Sequence, residues 1–443
     1  MAGIYEKLGK LDAQERAGQI ASSFTDTYPD LIAADSDAWR GKFRKMAGSA
    51  FAFYRGSAAL FYRDVVQDED PFLTDKTSRV WIQGDLHANN FGTYMNSAGM
   101  LVFDVNDFDE SYVGAFTWDL KRLAASLALL GYEKALSDAD IRKMIETVAR
   151  SYAKQVALFA EGKAESDFAL TLATTEGVLR GVLGTARLQT RLALLQESTV
   201  IEAYDRKFGD DPSMRRLDAD THAEVQQAFQ TYLDSIPRSK RDRRLSYRMK
   251  DVVARRGMGI GSAGLPSFNA LLEGHSQALE NDIIVYMKQA TVAAPSLAVT
   301  DDRIKGYFKD DAVRTVVSQR ALQAYADPWL GNTTVFGKGY LVAEASPYTM
   351  DLDWSDINHV DDVVQVLVYL GQAVAKIHCV SDEESDQTLV PFSIEEAIGE
   401  VIAGHEDDFV EHLVAFGEGY GAVVRNDHTL FVDAFRNRRI ADL

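Results

Sequence analysis

Residues Gln83 to Gly92 read QGDLHANNFG, and soon after them Leu101 to Ser111 read LVFDVNDFDES. The first stretch puts Asp85, His87 and Asn90 on one tight segment entered through a glycine. The second sets Asp104, Asp107 and Asp109 at the end of a short apolar run. A carboxylate accepts a proton from an attacking hydroxyl, and an amide oxygen a few residues on binds a hard cation if the loop curls back on itself. Phosphoryl-transfer sites combine these jobs, with one Asp at the acceptor and an Asn plus a second Asp at Mg2+. Such a cation takes one or two protein carboxylates beside phosphate oxygens and water, so the three aspartates compete for the place. Strand alternation, if extension continues, puts Asp107 and Asp109 on one face and Asp104 on the other. The runs RVWIQ and MLVFDV on either side of the loop read as a pair of strands holding it.

A chain of 443 residues, 46% hydrophobic and 10% aromatic, has material for one large domain or two to three lobes. It has no apolar run of about eighteen residues and its start, MAGIYEKLGKLDAQERAG, is polar, which predicts neither export nor membrane insertion. The single cysteine, Cys379, excludes a disulfide framework and a cysteine-rich metal site, and a reducing cytoplasm is the expected compartment. A net charge of −19 argues against nucleic acid as a partner, because phosphate contacts need a positive surface. One segment runs the other way: Arg238 to Arg256 carries nine Lys/Arg against two Asp. It reads either as a solvated basic linker or helix face, or as a positive rim beside a phosphate-bearing ligand. The histidines are scattered with no HExxH spacing, so His87 is expected to fix its turn by bonding loop backbone rather than to hold zinc.

Along the chain the pattern predicts an α+β protein. Residues 1–237 read as a helical lobe that carries both loops. Residues 238–352 read as a small, mostly antiparallel sheet with one helix, DDAVRTVVSQRALQAYA, and residues 353–443 as a helical return. Inside the sheet region Gly259, Gly261 and Gly264 spell GxGxxG around Ser262 in RRGMGIGSAG, where glycines let backbone N–H groups approach phosphates. Lys288 alternates out of the apolar strand IIVYMKQA. Arg55 is read as a phosphate or substrate contact, or as half of an ion pair within the helical lobe, and the Glu344 side chain as solvated.

These residues resemble a known pattern. GDLHANN is similar to the HGDxHxxN catalytic loop of the aminoglycoside phosphotransferase and choline kinase branch of the protein-kinase-like fold. DFDESYVGAFTWDLKRLA resembles that branch's metal segment, in which an Asp-Phe/Trp pair is followed twelve residues later by a structural Asp, as Asp107 is by Asp119. The resemblance implies Asp85 as catalytic base, Asn90 and Asp107 as Mg2+ ligands, Asp119 as the brace of the catalytic loop, and Lys288 as the lysine that pairs with ATP phosphates. VVQVLVYLGQAVAKIHCVS resembles the LGxxLAxLH helix that precedes the catalytic loop in those enzymes, yet here it lies near the C-terminus. The glycine-rich lobe likewise follows the loop, and a circular permutation accounts for both displacements. Two departures stand out. Gln83 replaces the branch's His, a scaffold position, and the sheet-lobe helix has no Glu for the lysine, leaving Gln319 or an acid from elsewhere to fill the place. The whole, with KMAGSAFAFYRG ahead of the loop, also resembles the bacterial family called domain of unknown function 2252.

The expectation is a two-lobed, circularly permuted kinase-like fold that uses ATP and Mg2+ to phosphorylate a hydroxyl of a small molecule or protein. A nucleotide-binding pseudokinase that regulates a partner and an adenylyltransferase acting on protein hydroxyls are the alternatives.

Overall fold

The helix Phe116–Glu133 organises the chain. Every residue from Phe116 to Gly131 except Trp118 is buried, and a helix apolar on all sides is one surrounded by protein. Asp138–Ala160 and Glu406–Arg436 pack against it, and Val360–Cys379 packs on Asp138–Ala160. The last pair approaches closely because Gly371 has no side chain; a Cβ there would stand 2.6 Å from the Val148 carbonyl oxygen. The computed structural model describes residues 3–236, 241, 247–255, 264–385 and 387–441.

The aromatic segment before the loop forms three helices, Ser36–Met46, Ala50–Arg55 and Ala58–Val65, packed into the same core. Ahead of them, Ala13–Thr25 is tied to the far end of the chain. Arg16 Nη2 lies 2.6 Å from Asp64 and 2.7 Å from Asp427, and the Tyr420 hydroxyl donates to Asp64 at 2.7 Å. All four groups are buried, so each needs the others.

A six-stranded antiparallel sheet forms the second unit. Its order is Gly331–Val335, Lys338–Glu344, Ile283–Gln289, Ser267–Leu272, Met249–Arg255, Met214–Arg216. The helix Asp311–Leu322 connects the third strand of this order to the first and packs near the sheet's Lys338–Glu344 end. Period-two alternation sends Ile283, Val285 and Met287 to a core shared with the helix Ala219–Ser235, while Tyr286 and Lys288 point to the opposite face. That core places Ala219–Ser235 with the sheet, although the sequence reading groups it with the helical lobe and divides the chain after 237. Its apolar face, Val225, Ala228, Phe229 and Tyr232, has the sheet as its partner.

Two smaller ladders frame the quoted loops. The runs on either side of the loop are both strands, as the sequence reading has it, but each pairs with a different partner. Val80–Ile82 pairs with Tyr112–Gly114, and Leu101–Val105 pairs with Phe91–Met95, which in turn pairs with Met350–Asp351. The unread strand Phe91–Met95 takes the partner role, because the loop returns directly into it. Among the described residues no helix is long and apolar enough to cross a membrane.

Arg16→Leu would strand two buried carboxylates. Urea denaturation should show a loss of about 3–5 kcal/mol, with no change in the loops around Asp85.

Candidate active site

Asp119, on the first turn of the central helix, holds the loop from beneath. Its carboxylate accepts from the backbone N–H of Gln83 at 2.7 Å and of Gly84 at 2.9 Å. His378 Nε2 stands 3.3 Å from the same carboxylate, with the Tyr152 hydroxyl 2.9 Å from the other ring nitrogen, so His378 is a packed histidine with a bracing role. Gly84 has φ +84°, and a Cβ there would fall 2.1 Å from the Glu110 carbonyl oxygen. Only glycine lets the two quoted stretches press together at this point. Gln83 then joins them. Its Oε1 accepts from Asp85 N at 2.8 Å, while its Nε2 donates to the carbonyls of Asn106, at 3.2 Å, and Asp107. The side chain that departs from the resembled pattern therefore keeps a scaffold function.

Asp85 is bound by a residue that the sequence reading passes over. Arg122, fully buried one turn after Asp119, donates from Nε to Asp85 Oδ1 at 2.6 Å and from Nη2 to the Tyr54 carbonyl at 3.0 Å. Its guanidinium lies 4.4 Å from the Tyr54 ring centroid. The i,i+3 spacing from Asp119 puts it on the same helix face, which was the available signal. Burial raises the Asp85 pKa, and Arg122 opposes the rise. The second oxygen, Oδ2, is 3.8 Å from His87 Nε2, too far for a hydrogen bond. Burial drives the His87 pKa well down, so the ring is neutral, and its Nδ1 accepts from Asn89 N at 3.3 Å. His87 thus fixes the turn. Asn90 Nδ2 donates to the Asp85 carbonyl at 3.0 Å, which leaves its amide oxygen as the end free for a ligand.

The acidic stretch does not stay extended. Asp107 is left-handed (φ 56°, ψ 73°) and Phe108–Glu110 makes one 3-10 turn. The separation of the aspartates expected from alternation is nevertheless present, produced by this kink. Asp107 and Asp109 face the cleft, whereas Asp104 is buried on the other side, 2.6 Å from Lys376 Nζ, and is removed from the metal candidates. Asp107 reaches solvent in the cleft between crowded protein walls; those walls and the charge of Asp109 raise its pKa to about 6. Asp109 forms an ion pair with Lys288. An acid from outside the sheet-lobe helix is therefore the lysine's partner, while Gln319 bonds Gln323 at 3.3 Å. The pair raises the Lys288 pKa against the effect of burial.

These groups line two adjoining chambers. The larger, about 1320 Å³ including its open mouth, is lined by Asn90, Asp107, Lys288, Gln319, Asp327 and Glu344. The smaller, about 740 Å³, is lined by Tyr28, Trp39, Lys42, Asp85 and Glu110. Arg55, Asp107 and Asp109 line both and so stand between them. Among the described residues Arg55 makes no ion pair, contrary to one reading of it, and its Nε is buried without a partner. Glu344 is not solvated either: its carboxylate takes Arg191 at 2.7 Å and its N–H donates to Asp327 at 2.8 Å. Gly264, at φ +77°, lies against Trp39 at the smaller chamber, while Gly259, Gly261 and Ser262 fall outside the described residues. Within the basic segment, Lys250 is buried on Asp282 at 2.8 Å and Arg248 bonds Glu273 at 3.0 Å, so these two do not form a free positive rim. Among the described residues no group of three or more His, Cys, Asp or Glu is arranged to hold a metal. Among the oxygens lining the cleft are the Asp107 carboxylate and the Asn90 amide, a pair that suits Mg2+ only if further oxygens from ligand and water complete it.

The sequence model of the family described as "uncharacterized protein conserved in bacteria (DUF2252)" matches residues 35–434, and the chain belongs to that family. No curated protein and no solved structure matches the chain.

Asp119→Asn would turn an amide N–H2 or a weaker acceptor toward the N–H groups of Gln83 and Gly84. Denaturant titration should report a loss of roughly 1–3 kcal/mol, and amide exchange at Gly84 should accelerate.

Proposed function

We propose that this member of the family is an ATP-dependent, Mg2+-requiring phosphotransferase acting on a hydroxyl, built as a circularly permuted kinase-like fold. The observation that carries the reading is the shared cleft. Asp85, Asn90 and Asp107 come from the first quarter of the chain and Lys288 from its third, yet they line two chambers that meet at Arg55 and Asp107. The sheet supports it too. It is antiparallel, carries Lys288 on an inner strand, and has one helix between that strand and the last two, in keeping with the small antiparallel sheet and single helix expected for a nucleotide lobe.

The division of labour follows from which chamber each group lines. Lys288, Asn90 and Asp107 line the larger one, which would take the nucleotide; Mg2+ there would neutralise charge on the phosphates. Asp85 lines the smaller one, which would take the acceptor. Its Oδ1 is held by Arg122, so Oδ2 is the oxygen that faces an incoming hydroxyl and receives its proton. Arg55, without an ion pair among the described residues, would meet the group in transit between the chambers. Asp109 holds Lys288 when no phosphate is present and would yield it to one.

A second reading, nucleotide binding without turnover, draws on the same Arg122 contact, because an arginine on the base lowers its proton affinity.

Thermal-shift titration tests the nucleotide binding that both readings require, and turnover separates them. MgATP should stabilise the wild type and Asp85→Asn but not Asp107→Ala, since a ligand that binds only the native state raises its stability. Turnover in Asp85→Asn should fall by roughly 10²–10⁴-fold. Modified acceptor should gain about 80 Da, the mass of a phosphoryl group, rather than about 329 Da for an adenylyl group. No ATP-dependent shift in the wild type would remove the proposal.

A further inference from the structure

The smaller chamber contains cationic and N–H donors that have no hydrogen-bond acceptor among the described residues. Lys42, on the helix Ser36–Met46, is only 7% exposed, and its ammonium sits 4.5 Å from the Trp39 ring centroid and 5.5 Å from that of Tyr28. Among the described residues it has no hydrogen bond and no carboxylate in ion-pair range. Trp39 Nε1 and Arg55 Nε are buried with no partner, and both residues line the same chamber.

Of the four acids that line this chamber, Asp107 opens to solvent and the other three are engaged. Asp85 is held by Arg122 and Asp109 by Lys288. Glu110 accepts from the Ala294 N–H, and burial pushes its pKa up to about 7. The Lys42 pKa is pushed down to about 8 by the same desolvation, against the attraction of Glu110 and Asp85. A buried ammonium stacked on aromatic rings, with no counter-charge in contact, is costly unless something binds it.

We propose that the acceptor is a small hydroxylated molecule bearing a carboxylate or phosphate, whose anionic group binds Lys42 and Trp39 Nε1 while its hydroxyl meets Asp85. The inference rests on the phosphotransferase reading for the hydroxyl, but the anion site stands on the chamber itself. Lys42 lines the smaller chamber, with Asp85, and not the larger one given to the nucleotide, so the anion it would meet is assigned to the acceptor. The walls formed by Tyr28, Leu31 and Trp39 favour a small body over a polypeptide strand. A cationic amino alcohol would set its ammonium against Lys42 and Arg55 and is disfavoured.

The test uses the full chain with the larger chamber filled by Mg2+ and a non-hydrolysable ATP analogue. Inorganic phosphate and glycerate are titrated by thermal shift into wild type, Lys42→Met and Lys42→Arg, and the two probes separate a phosphate from a carboxylate preference. Wild type and Lys42→Arg should bind at least one anion. Lys42→Met should bind it roughly tenfold or more weakly while keeping its shift with the ATP analogue, which also shows that the variant is folded. Absence of any anion shift in wild type, or equal shifts in wild type and Lys42→Met, overturns the proposal. If the ATP analogue fails to bind but the Lys42-dependent anion shift persists without it, the phosphotransferase reading falls and the anion site stands.

Discussion

Two backbone amides and one buried carboxylate set the geometry of the whole site. Asp119 accepts from Gln83 N and Gly84 N at 2.7 and 2.9 Å from a helix that is itself encased in protein. Hydrogen bonds to a charged group contribute about 1.5–3 kcal/mol each, enough to hold a loop that has little secondary structure of its own. Everything chemically interesting is then reached in one step. Gln83 links to the Asp107 carbonyl, Gly84 presses on Glu110, Asp85 follows directly, and Arg122 rises from the same helix to meet it. Removing the brace would leave the tie between Asp85 and Asp107 to the Gln83 side chain.

The cleft is also a place where charges lack full compensation. Glu110 is pushed up to about 7 and Lys42 down to about 8, chiefly by burial, and Asp107 up to about 6 by the protein walls around it and the charge of Asp109. Perturbed groups of this kind collect where a protein binds or transforms something. Asp107 lines both chambers, whereas Lys42 and Glu110 line the smaller. A cation at Asp107 and an anion at Lys42 would relieve both. The Lys288–Asp109 pair closes the remaining gap between the sheet and the acidic turn, so the two units meet through opposite charges.

Much of this arrangement could be read from residue order. The α+β class, the sheet strands around Lys288, the helices after Trp118 and the nearness of Asp85, Asn90 and Asp107 follow from periodicity and from tight spacing. What was not legible depends in each case on distant partners. The pairing of Val80–Ile82 with Tyr112–Gly114 instead of the Leu101–Val105 strand is set by the return of the loop into Phe91–Met95. Arg122 looks like one more base on an amphipathic helix until Tyr54 and Asp85 are placed around it. The side on which Asp104 falls was anticipated from strand alternation, but its cause is a left-handed residue at Asp107 and a lysine, Lys376, from far along the chain. Helix Ala219–Ser235 shows the same limit: its period reveals an apolar face but not which unit covers it.

The most direct measurement is a crystal structure of the protein with Mg2+ and a non-hydrolysable ATP analogue. The account predicts a metal roughly 2.0–2.1 Å from oxygens of Asp107 and Asn90, phosphate oxygens on Lys288, and the γ-phosphorus as the phosphorus nearest Asp85. Nucleotide bound away from Lys288, or a metal with no contact to Asp107, would contradict it.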